Sequence, residues 1–76
     1  MNHTTRLACL SPESAAAVVD EHDAYFGAGP SNTVRQDGNE VVIDYFDKRW
    51  PLDVAEWAAE QGHATDSAAA AVIAAL

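Results

Sequence analysis

Asp37-Gly38, set between two extended-looking runs, constrains this chain more than any other pair of residues in it. An Asp-Gly pair favours a type I′ turn, because both central residues of that turn need positive φ. With Asp37-Gly38 as a two-residue loop, Gln36 pairs with Asn39, Arg35 with Glu40, and Val34 with Val41. Opposed residues share a face, so Val34, Val41, Ile43 and Tyr45 point one way. Arg35, Glu40, Val42, Asp44 and Phe46 point the other way, towards a half-solvated surface. A three-residue loop would exchange the faces on one strand, so register decides what this hairpin buries.

The neighbouring segments give that hairpin something to pack against. Residues 5–10 alternate as a short strand, with Leu7 and Cys9 on one face and Leu10 on the other. Ser11-Pro12 starts a helix: the hydroxyl caps, and proline suits the first helical position because its missing N–H has no partner there. That helix is expected over 12–26, stopping at Gly27, with Gly29-Pro30 in a linker-like stretch, 27–32. Ala15, Val18, Val19, His22 and Phe26 converge on its apolar stripe, Tyr25 at the margin, while Glu13, Asp20, Glu21 and Asp23 fan across the remainder.

After Lys48-Arg49-Trp50-Pro51 the helical period returns. Asp53 is expected to cap, Glu56 to complete a capping-box variant, and Leu52 and Trp57 to sit at staple spacing. Gly62 ends that helix, and Thr65 opens another whose Ala69, Val72, Ile73 and Leu76 line one side. The expectation is an α+β fold: a three-stranded antiparallel sheet over 5–10, 32–36 and 40–46, with about three helices over 12–26, 54–61 and 66–75. The order is β-α-β-β-α-α. Its core is expected to draw on Leu7, Cys9, Val18, Phe26, Val34, Val41, Ile43, Trp57, Val72 and Ile73.

Seventy-six residues suffice for one domain, 1–76, with a small core. Twelve Asp and Glu against four Lys and Arg leave a net charge of -8. That balance argues against direct nucleic-acid binding, which needs a basic stripe, and against an anionic membrane surface. One cysteine, Cys9, excludes an internal disulfide and fits a reducing compartment. With no apolar run of signal-peptide or bilayer length, a cytoplasmic protein is expected, a monomer being favoured.

Chemistry finds little support. The last two helices have helix-turn-helix spacing around Gly62, yet the second offers Thr65, Asp66, Ser67 and alanines where base-reading Arg, Lys, Asn or Gln belong. His3, His22 and His63 show no metal-ligand spacing, so no metal or other cofactor is expected. In Glu21-His22-Asp23 the neighbours point about 100° apart on a helix and form no proton relay. Cys9 has no cationic neighbour in sequence to activate it, and no glycine loop cradles phosphate. No enzyme activity is expected.

What remains is acidity in blocks, E13…D20-E21-H22-D23 and D53…E56…E60…D66, with no basic residue inside either. A ridge of carboxylates can imitate duplex DNA, which carries one charge per about 1.7 Å of axis. A small acidic α+β chain with these blocks and no catalytic signature resembles the phage-encoded anti-CRISPR proteins, in type rather than by motif. The resemblance implies a protein partner, a subunit of a CRISPR–Cas effector complex bound at its basic surface, and a site in the host cytoplasm. Asp20, Glu21, Asp23, Glu56 and Glu60 are then the expected binding residues. The alternative is a cytosolic assembly module docking through Tyr45, Phe46 and Trp50, with acidity serving only solubility or salt adaptation.

Overall fold

Alternating apolar residues and well-placed capping oxygens divide the chain into β1 (His3–Ala8), α1 (Pro12–Phe26), β2 (Thr33–Asp37), β3 (Glu40–Tyr45), α2 (Arg49–Glu60) and α3 (Asp66–Ala75). The structure is a computed structural model and describes residues 3–26 and 33–76, the side chains of 23–26 excepted. The expected stop at Gly27, the Gly29-Pro30 break, the side chains of Asp23 and Tyr25, and Phe26 as a core residue lie outside it. The three strands form one antiparallel sheet in the order β1-β3-β2, giving an α+β fold with the order β-α-β-β-α-α.

The hairpin register differs from the expected one by two residues. Asp37 pairs with Glu40, Arg35 with Val42 and Val34 with Ile43, so Gly38-Asn39 forms the loop. Gly38 has φ +64° and Asn39 is not in the positive region, which is the pattern of a type II′ turn, with glycine at the first central position. A shift of two preserves facing, since side chains alternate with period two. Val34, Val41, Ile43 and Tyr45 therefore still share a side, which Leu7 of β1 joins opposite Val41.

Helix starts follow from oxygens within reach of free N–H groups. The Ser11 hydroxyl accepts from the Ser14 backbone N–H at 3.1 Å, and the Thr65 hydroxyl accepts from that of Ala68 at 3.0 Å. Asp53, however, is not a cap. α2 begins four residues earlier, where the Asp47 carboxylate accepts from the Arg49 N–H at 2.9 Å. Pro51 then occupies the first turn, whose N–H groups have no intrahelical acceptor, so the ring costs no hydrogen bond.

All three helices cover the Leu7–Val41–Ile43 side of the sheet. Ala15 and Val18 of α1, Val54, Ala55, Trp57 and Ala58 of α2, and Ala69 and Val72 of α3 complete the core with Cys9 and Ala64. Val34 packs against it from the sheet's edge, partly buried. Ile73 does not belong to it: 100° round from Val72, it lands at the rim and is 36% exposed. Val42 faces the open side yet is 1% exposed, and it stands in register between Arg6 and Arg35. Among the described residues, no helix is long and apolar enough to cross a membrane.

Candidate functional site

α2 and α3 form a hairpin whose turn is fixed by backbone chemistry. The N–H of His63 donates to Ala58 O at 2.9 Å and that of Gly62 to Ala59 O at 3.1 Å, with Gly62 at φ +79°. This is a Schellman closure, and the apolar contact that goes with it is His63 on Trp57, ring centroids 6.0 Å apart. Because the facing side chains are mostly alanine, the hairpin leaves a groove of about 300 Å³ between its helices. Ala59, Ala69, Ala70 and Ile73 give the groove an apolar lining, and among the described residues Glu56, Glu60 and Asp66 are its ionisable members.

Local geometry explains the three carboxylates. Glu56 and Glu60 stand one turn apart on α2, where like charges at i, i+4 repel by a few tenths of a kcal/mol. Asp66 is the first residue of α3, a position favoured by the positive end of the helix dipole. Among the described residues, none of the three enters an ion pair. Among the described residues Glu13, Asp20 and Asp53 likewise enter none, whereas other acids have partners. Arg6 reaches Asp37 at 2.8 Å and Glu40 at 3.3 Å, and Asp44 accepts from Thr4 at 2.7 Å and Thr33 at 3.3 Å. Hydrogen bonding to Asp37 above all raises the Arg6 guanidinium above its ordinary range.

No family model, curated protein or solved structure matches this chain. The site therefore rests on its own geometry. Of the expected binding residues, Glu56 and Glu60 come together on the groove and gain Asp66. Asp20 and Glu21 are exposed on α1, away from the groove lining, and the Asp23 side chain lies outside the described residues. Glu21 meets His63 Nε2 at 3.2 Å, which ties α1 to the α2–α3 turn. That contact spans 42 residues, so no local spacing announced it.

The aromatic trio is split. Tyr45 faces the helical side and is 7% exposed, its ring 5.5 Å from His3, so burial removes it as a docking anchor. Trp50 packs partly buried against the core beside His22, and Phe46 is 62% exposed. His22 itself is a core histidine, with Nδ1 donating to Val19 O at 2.7 Å. Burial raises the Cys9 thiol above its ordinary range, away from the reactive thiolate. Among the described residues, no group of three or more His, Cys, Asp or Glu is placed to hold a metal ion.

Proposed function

We propose that this chain is a non-enzymatic inhibitor whose acidic helices occupy a basic, nucleic-acid-binding surface of a protein partner, in competition with the nucleic acid. The observation that carries this reading is the segregation of charge. The three helices hold eight of the twelve carboxylates and one of the four cations, Arg49, at the first residue of α2. The strands balance Arg6 and Arg35 against Asp37, Glu40 and Asp44, so the net charge of -8 resides almost wholly on one layer. Effector complexes of CRISPR–Cas systems, the partners implied by the resemblance, hold nucleic acid in positively charged channels of the kind such a layer fits.

The test is capture of a purified CRISPR–Cas effector complex by the full-length chain, with and without target DNA, across a salt series. Capture is expected to weaken as salt rises, since the screening length is already about 8 Å at physiological strength. Loading the complex with DNA first should block it. Exposed pairs are individually weak, so one substitution should do little, whereas Asp20→Lys, Glu21→Lys and Asp23→Lys together should abolish capture. Capture that ignores salt, DNA and the triple reversal would sink the reading. If Phe46→Ala alone then removed it, docking through the exposed aromatic would take its place.

A further inference from the structure

We propose that Asp37 is a site of spontaneous covalent modification: the Gly38 backbone nitrogen attacks its carboxyl, the residue converts to isoaspartate, and the Arg6 ion pair restrains the rate. Asp37 is the only aspartate in the chain that glycine follows. A side chain on the next residue would crowd the attacking nitrogen, and glycine has none. The surroundings are open too, since a Cβ built on Gly38 meets nothing within 4 Å. The turn is fastened on its carbonyl side. Gln36 Nε2 donates to Gly38 O at 2.9 Å, and the Cys9 N–H donates to Asn39 O at 2.8 Å. Among the described residues, the Gly38 N–H has no acceptor. The Asp37 side chain is 63% exposed, so water reaches it.

The chemistry balances with water alone. Nitrogen bonds to Cγ, the amide proton and the carboxyl OH leave together as one water, and a succinimide ring closes. Water then adds back. Opening at the side-chain carbonyl restores aspartate. Opening at the main-chain carbonyl routes the backbone through Cβ and Cγ and leaves the α-carboxylate as the side group. Mass is unchanged overall, and no other reactant enters.

Arg6 stands against the first step. Its Nη1 donates to Asp37 Oδ2 at 2.8 Å and to Glu40 Oε1 at 3.3 Å, reaching from β1 across β3. The carboxyl has to leave this pair and take up a proton before attack, because water is a leaving group and oxide is not. Pairing with Glu40 also holds the Asp37 backbone in the strand, so attack waits for the hairpin end to open locally. Isoaspartate then lengthens the backbone by one carbon beside the turn. The Asp37–Glu40 pair should lose its register, and with it the bond from Gln36 Nε2 to Pro12 O, 2.9 Å, that fastens β2 to the start of α1.

The test is to age the full chain at neutral pH and follow its tryptic peptide Gln36–Lys48, which holds Asp44 and Asp47 as internal controls. Electron-transfer fragmentation cleaves isoaspartate between Cα and Cβ, and enzymatic methyl transfer to the α-carboxylate counts it independently. Isoaspartate is expected at Asp37 alone. Arg6→Ala should raise the rate about two- to fivefold, the size that an exposed ion pair supports. Arg6→Lys, which keeps the charge and loses the planar fork, should fall between. Low urea should leave the parent's rate nearly unchanged, because a local opening exposes little surface. The purified isoaspartate form should lose amide protection at the hairpin end while α2 and α3 keep theirs. Equal conversion at Asp44 or Asp47 would overturn the site, as would none in the folded chain over a period in which the urea-unfolded chain converts. An Arg6→Ala rate equal to the parent's, or a parent rate that climbs in step with global unfolding from the first addition of urea, would overturn the role of Arg6. No partner takes part, so these outcomes are independent of the inhibitor reading.

Discussion

Gly38 holds φ at +64° at the head of the hairpin, and a Cβ added there meets nothing within 4 Å. The cost of Gly38→Ala is then chiefly that of forcing an L residue into a positive-φ turn conformation, about 1–3 kcal/mol. Urea denaturation is expected to show that loss. D-alanine at the same position of a chemically synthesised chain fits positive φ and restricts the unfolded chain, so it should gain about 0.4–1 kcal/mol, and a loss with both enantiomers would place the penalty in side-chain contacts instead. The Asp-Gly signal located this hairpin correctly because turn chemistry is local. It misplaced the loop by one residue along the chain because glycine serves two turn types, at the second central position of type I′ or the first of type II′. Facing remained legible where register was not, since a slip of two leaves each side chain on its own side.

At the scale of elements, the caps at Ser11 and Thr65 were readable because each hydroxyl serves an N–H three residues on. The start of α2 was misread for an equally local reason: Asp47 and Asp53 flank Pro51, and a proline is compatible with a helix beginning on either side of it. The Asp47 carboxyl lies below its ordinary range, chiefly because the Arg49 backbone N–H donates to it, and secondarily through the Arg49 side chain. A carboxylate held down in the fold stabilises it above the unfolded pKa, near 4, and that contribution fades as pH falls through the lower folded value. Asp47→Ala should therefore lower the melting temperature at pH 7, and its gap from the parent should narrow steadily below pH 4. A gap that stays constant down to pH 3 would mean the carboxylate charge plays no part in starting α2. Half of the groove was visible in the same way, since Glu56 and Glu60 share a helix face. Asp66 and Ile73 join them only through the packing of one helix on another.

For the molecule as a whole, a chain of 76 residues has about 4–11 kcal/mol of stability in total, on a per-residue scale typical of small domains. Ile43 is among its largest fully buried side chains, on the central strand under the helices. Ile43→Ala should cost about 2–5 kcal/mol, enough to leave a measurable unfolded population. Calorimetry showing an unshifted transition would contradict the core described above. The place of β3 between β1 and β2 has a consequence for synthesis on the ribosome. Among the described residues, β1 and β2 share no hydrogen-bonded edge; each pairs only with β3, which is made after both. A nascent chain that has emerged only as far as Asn39 thus carries two strands and a helix that the native sheet cannot yet join. The emergence of six more residues, Glu40–Tyr45, supplies the partner for both at once.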